Sequence, residues 1–173
     1  MKLKLSYIYE VAFFAALILF QVLLLNRISL FGIATPVFYV YFLLKLTAGR
    51  NLHYVIISAF LMGLIIDIFL NTPGMNATAI TVVAAFRKNI SSFFFEKIGY
   101  DDFVPGMNTA AGPFVRFTCL MVFLHLTLLF FIESFTLFNL KNTLLRIAVS
   151  SAVTIPLIIA TDSLMFRGKS GEQ

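Results

Sequence analysis

Long apolar runs separated by short polar stretches organise this chain. Six can be traced, over about residues 7–25, 36–48, 54–70, 76–95, 113–131 and 144–166. A helix crossing the hydrocarbon core needs about 20 mostly apolar residues, so most of these runs are near spanning length. They are continuous and lack the two-residue alternation of an outer-membrane barrel, which argues against strands. The pattern predicts an all-α, polytopic integral membrane protein: a bundle of six transmembrane helices forming one membrane domain over residues 1–173, with a cytoplasmic loop at 96–112. Lys2 and Lys4 precede the first run as in a signal peptide, but no small-residue cleavage pattern follows it. The run is therefore read as an uncleaved helix.

The fourth run is the shortest in apolar terms. About ten apolar or small residues separate Asn76 from Arg87, which covers roughly half the hydrocarbon thickness. Two readings are open. Arg87 and Lys88 snorkel from a longer helix, or the helix is short, shielded by neighbours, and continues along the interface as Asn89–Phe95.

Charge adds orientation. With a cytoplasmic N-terminus, Lys2, Lys4, Lys45, Arg50, Arg87, Lys88, Lys97, Arg116, Arg167 and Lys169 fall inside, against Arg27, Lys141 and Arg146 outside. Six spans with both termini cytoplasmic satisfy the positive-inside rule. Tyr7, Tyr9, Tyr39, Tyr54 and Tyr100 then lie near helix ends, where interfacial anchors belong.

Composition agrees and narrows function. Of 173 residues, 60% are hydrophobic and 12% charged, against roughly 45–50% and 25% in soluble domains. Mean hydropathy is +0.96. Six spans leave no room for a soluble catalytic module. A net charge of +5 without basic, aromatic-studded exposed stretches does not describe a nucleic-acid binder. The lone Cys119 excludes an internal disulfide framework and reads as a small buried apolar residue. The signatures His-Glu-x-x-His, Gly-x-Ser-x-Gly and Gly-x-x-x-x-Gly-Lys are absent from the sequence. Two His and one Cys offer no His/Cys metal cluster. The inventory points to a non-enzyme with no metal or cofactor.

Polar residues inside apolar runs should face protein. Ala59, Gly63, Asp67 and Asn71 lie four apart on one face of the third helix, and small residues there admit a close neighbour. Arg146, Ser150 and Thr154 share a face of the sixth, with Asp162 further along the stripe. Asp67 and Arg146 are expected at the same outer level, so a contact between them is one expectation; capping or interfacial water is the other. The first helix has Ala12 and Ala16 as a small-xxx-small pair, followed by Gln21 and Asn26. His125 in the fifth helix, with Glu133 at its end, reads as a neutral, hydrogen-bonded histidine rather than a proton relay. Pro73-Gly74-Met75-Asn76 and Pro105-Gly106-Met107-Asn108 repeat a turn-and-cap chemistry before a helix.

Gly63-Leu64-Ile65-Ile66-Asp67-Ile68-Phe69 followed by Thr72-Pro73-Gly74-Met75-Asn76-Ala77-Thr78 resembles the rod shape-determining membrane protein family MreD, in its Bacteroidetes form. Arg87 and the stretch from His125 to Glu133 with Phe135 are also similar to that family. The resemblance implies a non-enzymatic member of the bacterial cell-elongation machinery in the inner (cytoplasmic) membrane. Its implied partners are an MreC-like single-helix membrane protein, the MreB filament, RodA and its transpeptidase. Ala12, Ala16, Ala59, Gly63, Asp67, Asn71, Arg146 and Ser150 would then serve partner docking or helix packing. The loop 96–112 would meet cytoplasmic components, with Asp101 and Asp102 as solvated charges. The family is similar in fold to six-helix substrate-binding subunits of energy-coupling-factor transporters, so a small-solute-binding membrane subunit is the alternative. A solute site would need convergent polar groups on the outer side, where the sequence offers Asp67, Asn71, Asn76 and Arg146.

Overall fold

The computed structural model describes residues 2–27, 35–95, 103–134 and 139–165. Lys97, Tyr100, Asp101, Asp102, Phe135, Arg167 and Lys169, named above, lie outside these. The described residues are all-helical: α1 (Lys2–Leu23), α2 (Tyr41–Lys45), α3 (Leu52–Leu70), α4 (Met75–Phe95), α5 (Met107–Glu133) and α6 (Leu140–Met165). Short 3-10 turns cover Leu25–Arg27 and Phe38–Val40. Leu52–Leu70, Met107–Glu133 and Leu140–Met165 are long and apolar enough to cross a membrane, and Ile8–Leu23 is a shorter apolar helix. The chain is a membrane protein on this measure.

Local chemistry sets the helix ends. Asn51 caps α3, its side chain accepting from the His53 backbone N–H at 2.8 Å. At the other end Asn71 adopts the left-handed conformation (φ 55°), which asparagine tolerates at a C-terminal cap. The next turn uses Gly74 at φ 77°. α5 is broken at Ala110 (φ −159°, ψ 77°), with Pro113 after the break. Helix therefore begins at Met107, inside the segment expected to be loop.

α3 packs on α4, α4 on α5 and α5 on α6, while α1 lies beside α3 and the segment around α2. The exposed face of α3 carries Ile57, Phe60, Leu61, Leu64 and Ile68, an apolar surface suited to lipid.

The expected second span takes another form. Residues 36–48 are helical only over Phe38–Val40 and Tyr41–Lys45. Val37 to Leu44 are all buried; this central segment runs through the bundle rather than along its surface. Eight of these residues are helical, and the chain leaves α2 through an extended Leu46 (φ −64°, ψ 145°) into a turn at Ala48. The segment is thus a partly unwound helix. Its cost is a set of backbone groups without helical partners, which hydrocarbon does not tolerate unless protein satisfies them.

Candidate functional site

The side chains that satisfy the central segment form the most elaborate buried polar arrangement of the chain. From α1, Gln21 donates to the Pro36 carbonyl (2.9 Å) and accepts from the Phe38 N–H (2.8 Å). From α6, Ser150 accepts from the Thr35 N–H (3.2 Å) and Thr154 from the Val37 N–H (3.1 Å). Further along, Asp162 accepts from the Tyr41 hydroxyl (2.6 Å) and pairs with Lys45 (2.9 Å). The sixth-helix stripe Ser150, Thr154, Asp162 is therefore a template, read in order by residues 35, 37 and 41–45. At the far end Arg87 of α4, itself buried, donates to the carbonyls of Leu43, Leu46 and Thr47. These carbonyls lie where α2 ends and lack i+4 partners.

Of the two sequence readings, the longer helix is found but its snorkelling arginine is not. The helix is long, Met75–Phe95, but its guanidinium points into the bundle and not toward an interface. A planar fork of five donors reaches carbonyls spread along a helix end, whereas a lysine's three donors all radiate from one nitrogen.

A second unit joins α3 to α4. A Cβ on Gly63 would sit 2.5 Å from Ala77 Cα and 2.7 Å from its nitrogen, so the α3 and α4 backbones touch there. One turn on, Asp67 Oδ1 accepts from the Asn76 N–H (3.0 Å), Asn76 Nδ2 (2.9 Å) and the Thr72 hydroxyl (2.7 Å). Its Oδ2 accepts from the Ala77 N–H (2.9 Å). The carboxylate caps the first turn of α4 from the preceding helix, where helix N–H groups are orphaned and a negative charge is favoured. Gly63, Asp67, Thr72 and Asn76 thus act as one clasp.

The clasp reaches the bundle centre through Asn76. Its Nδ2 also donates to Thr72 Oγ1 at 3.2 Å, and its Oδ1 accepts from the Tyr39 hydroxyl at 2.8 Å. Tyr39 has a single hydroxyl proton, spent on Asn76, so His125 Nε2 at 2.8 Å must donate to the tyrosine oxygen. The tautomer is thereby assigned, with Nδ1 left as a buried acceptor that has no hydrogen-bond partner. An amide separates Asp67 from Tyr39 and His125, and it carries no readily exchanged acid proton. The arrangement orients helices; it is not built as a proton wire.

Several sequence expectations are corrected. Of the two expectations for Asp67 the helix cap is found and the Arg146 contact is not: its partners are the Thr72, Asn76 and Ala77 groups above, because the α4 terminus lies one turn away. Arg146 instead donates to Glu133 at 2.9 Å and lies over the Phe130 ring at 4.4 Å. Tyr39 is 1% exposed and serves the core, not an interface. Cys119 is half-buried, not fully buried. Of the small and polar stripe residues, Ala59, Gly63 and Asp67 are buried among neighbours, whereas Asn71 is exposed and terminates α3. Ala12 and Ala16 are exposed on α1. Sequence reasoning found Ser150 but gave no specific role to Gln21, Thr154 or Arg87. Their signal was a polar group placed in each neighbour of one apolar run containing a proline.

Compared with protein-family models, curated proteins and solved structures, the chain matches none.

Proposed function

We propose that this chain is a non-enzymatic scaffold of the bacterial inner membrane, of the MreD kind, which docks the single membrane helix of an MreC-like protein. Through that partner it supports lateral peptidoglycan synthesis by RodA and its transpeptidase, along MreB filaments, and so maintains rod shape. The six-span arrangement with both termini cytoplasmic belongs to the same reading.

One observation supports it best. The buried polar side chains of α3, α4 and α6 largely serve the clasp and the central segment, while Ala12 and Ala16, one turn apart, stay exposed on α1. Small residues on an outward face permit close approach of another helix in lipid. Docking therefore falls to α1 in this reading, and the motif Gly63–Asp67 holds the bundle in shape.

Cysteines placed at Ala12, Ala16 and Ile68, in a background with Cys119 replaced by alanine, test it. Crosslinks to an MreC-like protein are expected from α1 and not from Ile68 on α3, with rounded cells on depletion. Normal rods after depletion, or equal crosslinking from Ile68, would sink the proposal.

A further inference from the structure

The ends of α1, α3, α5 and the starts of α4 and α6 surround a cavity of about 400 Å³. Small-molecule sites occupy about 300–1,000 Å³ and combine mostly apolar walls with a few placed polar groups. Here Leu70, Met75, Leu129 and Phe130 supply apolar wall, and polar groups converge from the opposite elements. Most of those are already spent: Gln21 on Asn26, Pro36 and Phe38, and Asn76 on Asp67, Thr72 and Tyr39.

Two are not. Asn26 accepts from Gln21 Nε2 at 2.9 Å through Oδ1, which fixes its amide orientation and leaves Nδ2 buried without a hydrogen-bond partner. Such a donor costs free energy unless something accepts from it. Arg146 gives one N–H to Glu133 and covers Phe130 with its plane; a guanidinium has five N–H groups, and no other Arg146 hydrogen bond is present among the described residues. Glu133 also lines the cavity with Oε1 engaged by Arg146, so the unspent capacity is the donors of Asn26 and Arg146, beside one carboxylate oxygen and an apolar wall.

We propose that this cavity binds a small molecule with an apolar body and a hydrogen-bond-accepting end, a carbonyl or carboxylate. Asn26 Nδ2 and Arg146 meet the acceptor, and Met75, Leu129 and Phe130 cover the body. The site goes beyond a scaffold role and does not depend on it, since Ala12 and Ala16 do not line the cavity.

The chain has no tryptophan, so Leu70→Trp at the cavity wall provides a single fluorescent reporter in the full-length protein in nanodiscs. The probes are 4-bromobenzoate and 4-bromobenzamide, whose bromine quenches on contact, with bromobenzene as the acceptor-free control. Saturable quenching is expected from the first two and a linear, partition-like response from bromobenzene. Asn26→Asp keeps the oxygen that Gln21 uses and turns the free donor into an acceptor. It should weaken 4-bromobenzoate by about tenfold or more, the scale of a lost and opposed hydrogen bond. Arg146→Gln should weaken the benzoate more than the benzamide. In the protein without the reporter, 4-bromobenzamide should raise the melting temperature, and Asn26→Asp should abolish the rise. Linear quenching by all three probes, or saturation indifferent to Asn26→Asp, overturns the proposal.

Discussion

Residues 36–48 and α3 look alike as apolar runs, yet they solve the same problem in opposite ways. α3 satisfies its backbone internally and turns Ile57, Phe60, Leu64 and Ile68 outward. The central segment is buried along its length, follows helical geometry only in part, and relies on Gln21, Arg87, Ser150, Thr154 and Asp162 from three other helices. Apolarity alone does not separate these outcomes. What separates them is whether the neighbours carry polar side chains at intervals matching the unwound backbone. Pro36 adds a local push, since it lacks an N–H and disfavours helix at the residue before it. A lipid-facing helix tolerates apolar exchange, whereas a satisfied interior segment is sensitive to every donor and acceptor that surrounds it.

The largest way to break the contrast is Arg87→Leu. It orphans the Leu43 and Leu46 carbonyls inside the bundle, while Thr47 keeps the Arg50 N–H, and each buried unsatisfied group costs about 1–3 kcal/mol. Together they remove a large share of the stability of a typical domain, about 5–15 kcal/mol. Loss of a monodisperse folded species on size-exclusion chromatography in detergent is expected, with Arg87→Lys intermediate. Ile68→Val on the exposed face of α3 should stay within about 0.5 kcal/mol of the parent. A stable Arg87→Leu protein would mean the central segment does not depend on that guanidinium.

α3 has one place where it too depends on a neighbour. Gly63→Ala puts a Cβ 2.5 Å from Ala77 Cα, against backbone that cannot swing aside. Overpacking of this kind costs about 1–3 kcal/mol, and thermal unfolding should register it as a clear drop. An unchanged melting temperature would imply that α3 and α4 separate at no cost. Slightly smaller is Thr154→Val, which keeps the shape and removes the acceptor of the Val37 N–H. About 1–2 kcal/mol is expected, together with faster hydrogen exchange at Val37, and Thr154→Ser should restore both.

The physical reason for what the sequence could convey lies in these residues. Five of the expected runs coincide with helices, four of them because a mostly apolar stretch of 17 or more residues has few other solutions, and 76–95 despite its Arg87 and Lys88. Gly63 and Asp67 stood out because small and charged residues are rare choices inside such a run. Their purpose was legible in part: of the two readings of Asp67, a cation partner or a helix cap, the cap is the one found, but that it caps the following helix, through backbone N–H groups, is invisible to a search over side chains. The central segment was misread for a related reason. Its partners Gln21, Arg87 and Thr154 sit 15 to 117 residues away along the chain, and only the packing of α1, α4 and α6 brings them together. Asn26 gave least warning, since one unspent N–H is a property of its environment, not of its type.

The finest test concerns the one polar pairing that sequence suggested and the structure reassigns. Glu133 and Arg146 lie at the rim of the bundle, their side chains 40% and 26% exposed, so their pair should contribute less than about 1 kcal/mol. A double-mutant cycle with Glu133→Gln and Arg146→Gln should still detect that small coupling, diminishing as salt rises. The same cycle with Asp67→Asn and Arg146→Gln should be additive, because Asp67 spends its oxygens on Thr72, Asn76 and Ala77. Asp67→Asn alone should cost more than either rim substitution, since it weakens the cap on α4 within the bundle. Coupling between Asp67 and Arg146 larger than that between Glu133 and Arg146 would reverse the assignment and draw the rim back into the clasp.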